Sequence, residues 1–426
     1  MIYIVSKGDT VYSIASRYGI SPERIIIDNG IFPPYKLSVG QALLILIPYI
    51  THTVQEGETL LKIGEKYSVS QNELYQKNYS LKGISNIYPG QTIIISYTNE
   101  SRDRNLLTSS YAYPFITQGA LREVMPYLSG MVPFTYGFTE NGELVSLDDS
   151  KIISASKEYG TSPFLHLSTL TSDGKFDNSL SGRLFSNNQA KTNLINQILN
   201  TLASKGYYGV DLDFEFVPKS DAEGYIEFAR QLKNALSEKG YILIIALAPK
   251  ISDTQTGLLY EGHNYAELGK IADYVLLMTY EWGYEYSRPM AVAPINNVKQ
   301  VISYALEKIS SNKILLGIPN YGYNWPLPYI EGTTRAVSLG NTAAPRIAAE
   351  FNAEIKYDAE SKTPYFNYTD NSGIAHEVWF EDPRSISQKL MLVRNYDLAG
   401  IGIWNAMREF PSMWLQIATS FNIIDF

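Results

Sequence analysis

The sequence predicts an α/β protein: a (β/α)8 TIM barrel with an α+β insertion after its seventh strand, preceded by two small βααβ modules. Three observations predict it. The first 97 residues carry an internal repeat. The segment 98–106 is polar and charged, as a linker would be. From 107 to 426, short apolar runs alternate with segments of helical periodicity until eight strands are counted. The expected domains are 1–49, 50–97, a linker at 98–106, and a barrel at 107–426.

In the repeat, Val5, Gly8-Asp9-Thr10-Val11, Ile14-Ala15 and Tyr18-Gly19-Ile20-Ser21 recur as Val54, Gly57-Glu58-Thr59-Leu60, Ile63-Gly64 and Tyr67-Ser68-Val69-Ser70. Asn29 then matches Asn78, and Gly40-Gln41 matches Gly90-Gln91. Each copy reads strand, helix, helix, strand. Asp9 or Thr10 can cap the first helix, whose apolar stripe is Val11, Ile14, Ala15 and Tyr18. Ser21-Pro22 starts the second with a cap and a proline at the first helical position, and Ser70-Gln71-Asn72-Glu73 is a capping box. The closing strands are Ala42 to Ile45 and Thr92 to Ile95.

The barrel strands are expected at 111–115, 132–137, 163–168, 209–216, 243–248, 274–280, 314–319 and 398–404. Helices are marked by stripes such as Leu194, Ile195, Ile198, Leu199 and Leu202, stopped by Gly206. Residues 321–380, rich in Tyr, Asn and Thr, form the partly β insertion.

The fourth strand sets the chemistry. Along Gly209-Val210-Asp211-Leu212-Asp213-Phe214-Glu215-Phe216, side chains alternate faces. Asp211, Asp213 and Glu215 therefore share one face, and Leu212, Phe214 and Phe216 the other. Three acids on so apolar a strand repel one another and resist ionisation, so at least one should hold its proton near neutral pH. A protonated carboxyl beside a carboxylate is equipment for cleaving an acetal. Read alone, the three acids also suit a solvated strand end or a hard divalent cation.

Active sites of this architecture lie at the C-terminal strand ends. Strand four brings Asp213 and Glu215 there; strand six Met278, Tyr280, Glu281 and Trp282; strand seven Asn320, Tyr321 and Tyr323; strand eight Trp404 and Asn405. Tyr136, ending strand two, is a further candidate sugar contact. These partners are mostly aromatic rather than further oxygen ligands, which argues against a metal; no metal or cofactor is expected.

Composition narrows the classes. The net charge of -8 argues against a nucleic-acid partner. Cysteine is absent, excluding disulfides, zinc-thiolate sites and thiol nucleophiles. The four histidines, His52, His166, His263 and His376, form no H-E-x-x-H motif, and each is expected to be structural. Met1 to Ile20 contains Lys7 and Asp9 and no apolar core, so no signal peptide is expected. The apolar runs are too short to span a bilayer. A monomer is expected. The 33 tyrosines and 5 tryptophans suit sugar rings, though tyrosine is also ordinary strand material.

The repeat resembles the LysM module, a βααβ fold that binds N-acetylglucosamine-containing glycans. The resemblance implies sugar grooves between Gly8 to Val11 and Asn29 to Ile31, and between Gly57 to Leu60 and Asn78 to Ser80, with Gly8, Asp9, Thr10, Asn29, Gly57, Glu58, Thr59 and Asn78 as contacts. In the first copy Leu37-Ser38-Val39-Gly40 replaces the usual Pro-Gly.

Asp211-x-Asp213-x-Glu215 resembles the end of the D-x-x-D-x-D-x-E signature of family 18 glycoside hydrolases, with Tyr208 where the first Asp would stand. Met278-x-Tyr280 and Trp404 also match family positions. The resemblance implies retaining, substrate-assisted hydrolysis of β-1,4 bonds after N-acetylglucosamine. Glu215 would be the general acid, Asp213 would orient the sugar's acetamido group, Asp211 would share its proton, Tyr280 would bind the acetamide carbonyl, and Trp404 would floor the site. Two departures weaken a chitin-chain assignment: Leu165-His166-Leu167-Ser168-Thr169 replaces S-x-G-G on strand three, and Glu281 replaces Asp after Tyr280.

Together the modules and barrel resemble the cortical-fragment-lytic enzymes of bacterial spores. That implies N-acetylglucosaminidase action on spore-cortex peptidoglycan during germination, with synthesis in the mother cell. The alternatives are a chitinase, a general peptidoglycan glucosaminidase, and a non-catalytic glycan-binding coat protein. Deleting residues 1–97 is expected to weaken binding to insoluble glycan while leaving cleavage of soluble fragments.

Overall fold

The structure, a computed structural model, describes all 426 residues. Eight parallel strands close into a barrel: Asn105–Ala112, Gly130–Pro133, Ser162–Ser168, Gly209–Asp213, Ile242–Leu247, Tyr274–Leu277, Ile314–Pro319 and Gly400–Trp404, the last pairing with the first. Buried on both faces, such strands read as apolar runs rather than alternations. The barrel interior packs Leu107, Val132, Phe164, Ile244, Leu276 and Leu315. The expected strands are all present, several shifted by a few residues. The first begins at Asn105, inside the expected linker, and the fourth stops at Asp213 rather than Phe216.

The outer helices follow the apolar stripes. Asn187 caps Asn188–Lys205, and Gly206 ends it with a left-handed backbone (φ 79°). The helix Leu180–Ser186 escapes the sequence reading, as does Tyr265–Ile271, which is capped by Asn264 and lies between strands five and six. The seven residues of the latter bury Tyr265, Leu268 and Gly269, too few positions to show a stripe.

Between strand seven and the final barrel helix-strand pair, the insertion forms a five-stranded antiparallel sheet in the order 337–339, 322–327, 375–379, 363–369, 356–358. The helix Ala343–Glu350 packs on it over Leu339, Phe366 and Val378.

Both N-terminal modules are βααβ units. In the first, Thr10 rather than Asp9 caps the first helix, Val11–Tyr18, and Ser21 caps Pro22–Asn29. In the second, Thr59 caps Leu60–Tyr67, and Ser70 with Glu73 forms the capping box of Gln71–Lys77.

Neither module hangs on a tether. The Gln76 side chain donates to the Pro126 carbonyl at 2.7 Å, the Tyr159 hydroxyl donates to the Gly83 carbonyl at 2.6 Å, and Lys82 pairs with Glu123 and Glu409, both at 3.0 Å. Gly83 (φ 66°) lies so close that a Cβ there would sit 2.1 Å from the Arg122 carbonyl. The first module meets the insertion and the barrel helix Pro383–Asn395 that follows it: Ser38 donates to the Ala353 carbonyl at 2.6 Å, and Arg384 donates to the Gly40 carbonyl at 3.2 Å. The segment expected as a linker is bonded to the barrel as well. Arg102 pairs with Glu73 at 2.7 Å and Arg104 with Asp397 at 2.6 Å, while the Ser101 N–H donates to the Thr419 carbonyl. No helix is long and apolar enough to cross a membrane.

Candidate active site

The barrel mouth holds a cleft of about 450 Å³ lined by Asp213, Glu215, Met278, Tyr280, Glu281, Tyr321 and Trp404. A second cavity, of about 330 Å³, lies between the first module and the insertion, near Phe32, Arg346 and Phe380, and holds none of the fourth-strand acids.

Packing behind the strand aims the acids into the cleft. Phe214, on the opposite face, is fully buried and stacks on Phe228 (5.8 Å, 10°) and Tyr225 (5.8 Å, 28°). His263 pins the same residue. Burial drives its pKa down to about 4, so it is neutral. Its Nδ1 accepts from the Ala248 N–H and its Nε2–H donates to the Phe214 carbonyl, both at 3.1 Å. The chain leading into Glu215 is thus held by apolar stacking and by a buried imidazole. Phe216 departs from the expected alternation. Beyond the strand end its backbone turns left-handed (φ 55°), and the ring lines the cleft instead of the helix layer.

Electrostatics separates the three carboxyls. Burial, then the charges of Asp213 and Glu281, push Glu215 up to about 8. Burial raises Asp211 to about 6, opposed by His166 and Tyr111 and reinforced by Asp213. No donor meets either Asp211 oxygen with full hydrogen-bond geometry, the Tyr111 hydroxyl facing it more loosely. Asp213 has one: the His166 ring Nε2 at 3.3 Å from Oδ2, while Oδ1 is buried without a partner. Burial and the surrounding acids hold the Tyr280 phenol far above its ordinary range, so it stays a donor. Burial raises Glu281 too, opposed by hydrogen bonds donated by Tyr321 and Tyr323.

Trp404 packs its edge against Phe134 (4.9 Å, 76°) and Tyr111 (5.3 Å, 53°), leaving an aromatic wall on the first-to-third-strand side. Tyr113, with Phe115 stacked on it at 5.3 Å, extends that wall toward solvent.

Two expected sugar contacts point elsewhere. Tyr136 is buried outside the barrel, where its hydroxyl donates to Asp149 and accepts from Lys205 at 2.7 Å. Strand two ends at Pro133, so the alternation that would have turned this ring inward is lost. Asn320 is fully buried and donates to the carbonyls of Asn405 (2.9 Å) and Arg408 (2.8 Å), fastening two loops.

In the modules, the expected glycan-binding side chains serve the fold. Asn29 donates to the carbonyls of Ile25 and Leu44 and accepts from the Leu44 N–H; Asn78 does the same with Leu74 and Ile94. Asp9 accepts from Tyr3 and the Ser6 N–H, and Glu58 from the Gln55 N–H and His52. Thr10 and Thr59 are helix caps. What the paired loops leave for a ligand is backbone, including the turns at Gly8 (φ 90°) and Gly57 (φ 76°).

The sequence reading missed His166, expected to be merely structural, together with Tyr111, Phe134 and Phe176. All lie on or after strands one to three; the departure of Leu165-His166-Leu167-Ser168-Thr169 from S-x-G-G is the one signal that touches His166, and no motif singles out the other three. Only the register that sets His166 opposite Asp211 brings its ring to the acids.

Comparison with known proteins bears on the whole chain. Residues 94–409 match the model of glycosyl hydrolases family 18, and residues 3–46 and 52–96 match the LysM domain. The chain is 34% identical to a cortical fragment-lytic enzyme of Bacillus anthracis, over 99% of this chain and 98% of the relative. The Bacillus subtilis protein of that name is 35% identical, over 99% and 98%. Among solved structures, the Bacillus cereus spore cortex-lytic enzyme SleL superposes with a TM-score of 0.84 at 34% identity, covering 100% of this chain and 98% of that one.

Proposed function

The chain belongs to glycosyl hydrolases family 18 and carries two LysM domains, and from that membership we propose that it hydrolyses β-1,4 bonds after N-acetylglucosamine in spore-cortex peptidoglycan. It is a glycoside hydrolase. The observation that carries the reading is the pair at the end of strand four: Glu215, pushed up to about 8, beside Asp213, whose Oδ1 has no protein partner.

The reaction uses substrate assistance. A sugar seated on Trp404 places its glycosidic oxygen at Glu215 and its 2-acetamido group at Asp213. Glu215 protonates the leaving oxygen. The acetamido oxygen attacks the anomeric carbon as that bond breaks, and Asp213 Oδ1 accepts the acetamido N–H, stabilising the oxazolinium charge. Tyr280, kept a phenol, donates to the acetamido oxygen and aligns it. Asp211 shares a proton with Asp213 as charge develops. Water activated by Glu215 then opens the oxazolinium, with net retention. The names of the cortical fragment-lytic relatives support the substrate and an action at the spore cortex; action during germination and synthesis in the mother cell are further parts of the proposal. The chain acts as a monomer on glycan, and its charge of -8 supports no nucleic-acid role.

Mass spectrometry and anomer-resolved NMR on purified cortical fragments test this. We expect products with a new N-acetylglucosamine reducing end, formed first as the retained anomer. Inverted product, or a wild-type protein that binds fragments without cleaving them, overturns the reading.

A further inference from the structure

We propose that His166 is the positioning residue for Asp213, holding one carboxylate oxygen so that the other is presented to the substrate. The inference rests on the role given to Asp213 above. His166 is fully buried on strand three, its ring 4.8 Å from Phe134 and edge-on to Tyr111 at 5.6 Å, so its plane is set by packing. Nε2 lies 3.3 Å from Asp213 Oδ2, and Nδ1 lies 2.5 Å from Thr135 Oγ1.

The network decides which nitrogen bears the proton. Thr135 Oγ1 can donate to Nδ1, and the ring is then the neutral tautomer with its hydrogen on Nε2. The alternative, in which Thr135 donates to the Tyr136 carbonyl at 3.0 Å and accepts from Nδ1–H, would turn a bare Nε2 lone pair on the Asp213 carboxylate, so the first arrangement is the one that fits. An N–H then points at Asp213 Oδ2. Ser168 Oγ, 2.9 Å from Thr135 Oγ1, completes the chain of hydroxyls behind the ring.

Asp213 needs such a hold. It stands between two other carboxyls: the charge of Asp211 would repel it, and the protonated Glu215 could draw it away as a hydrogen-bond donor. His166 Nε2–H is the sole side-chain donor on it. With Oδ2 fixed toward strand three, the unpartnered Oδ1 is the oxygen left for the acetamido N–H. This arrangement belongs to the strand-three sequence Leu165-His166-Leu167-Ser168-Thr169, which departs from the S-x-G-G pattern.

Three variants of the full chain test it on soluble cortical fragments: His166→Leu removes the donor, His166→Gln keeps an amide N–H near the position of Nε2, and Thr135→Val removes only the Nδ1 partner. We expect kcat to fall about 100-fold in His166→Leu with KM within about twofold, because a mispositioned acetamido group costs the chemical step rather than binding. His166→Gln should recover at least about tenfold of that loss, and Thr135→Val should show a smaller fall in kcat with folding intact. A folded His166→Leu with wild-type kcat overturns the proposal, as does His166→Gln as slow as His166→Leu. If His166→Leu does not fold, wild-type kcat in both His166→Gln and Thr135→Val overturns it. Wild-type protein that cleaves no fragment refutes the proposed function itself, which the variant ratios among active proteins do not touch.

Discussion

The Tyr127 hydroxyl, on the barrel, donates to the Tyr75 carbonyl of the second module at 3.2 Å, and the Tyr127 ring packs between Tyr79 (6.4 Å) and Trp414 (5.8 Å). All four aromatic side chains are buried, and they belong to one apolar core shared by module and barrel. The module is therefore part of the wall of the catalytic body. Removing residues 1–97 uncovers that core, so the truncated chain should lose on the order of 10 °C in Tm and lose cleavage of soluble fragments along with binding to insoluble glycan. This replaces the expectation, drawn from a tethered module, that soluble cleavage survives. Thermal denaturation and soluble-fragment assays on the truncation decide it; a stable, fully active 98–426 barrel would show the interface to be dispensable.

Glu215→Gln keeps the shape of the side chain and removes the transferable proton. Cleavage should fall by about 10²–10⁴-fold or more while fragment binding persists. Equal, non-zero turnover by wild type and variant would move the acid elsewhere in the cleft.

The pH dependence of that acid has a definite sign. Glu215 works protonated, and burial with Asp213 and Glu281 raises its pKa to about 8. Activity should hold through neutrality and fall as pH rises through about 8, roughly tenfold in kcat/KM between pH 7 and pH 9. Glu281→Gln deletes one of the charges that raise it, so the basic limb should move toward lower pH. A limb unmoved by Glu281→Gln would mean that Glu281 does not act on Glu215 through its charge.

Much of this site was legible in sequence, and the parts that were not share a cause. The acids were readable because Asp211, Asp213 and Glu215 interrupt an apolar run at every second residue, and strand periodicity puts them on one side. The same rule misplaced Phe216 and Tyr136, since it applies only while the strand continues: strand four ends at Asp213 and strand two at Pro133. Asn320 was misassigned although its strand end was placed correctly, because a loop asparagine that faces two carbonyls looks in sequence like one that faces a ligand. The amides of Asn29 and Asn78 are likewise spent on strand and helix backbone, which their sequence position does not announce. His166 was hidden for a different reason. Its partner lies 47 positions away, and only the third-to-fourth-strand register joins them.

The Tyr321 hydroxyl donates a short hydrogen bond to Glu281 Oε1, and Tyr323 donates to the same oxygen at 3.2 Å. Both phenols favour the charged form of Glu281 against its burial. Tyr321→Phe should raise the Glu281 pKa further and loosen a cleft wall, lowering kcat/KM by about tenfold with little change in Tm. Unchanged kinetics would place this pair outside the reacting sugar's reach.

Asp211 offers a stability test independent of turnover. It is fully buried, and burial raises its pKa from an ordinary 3.8 to about 6 despite the Tyr111 hydroxyl that faces it. A group raised on folding favours the fold fully below its unfolded pKa, and that contribution is lost as pH rises through the folded one. Wild type should therefore lose up to on the order of 2–3 kcal/mol from this residue between pH 3.5 and pH 7.5, at about 1.36 kcal/mol per pH unit. Asp211→Asn is neutral throughout and escapes the loss, and its amide can donate to Asp213. The variant should match wild type near pH 3.5 and exceed it by that amount near pH 7.5 in urea unfolding. A gap that does not widen with pH would mean that Asp211 is not the carboxyl burdened by burial, and that the proton it is held to share with Asp213 resides elsewhere.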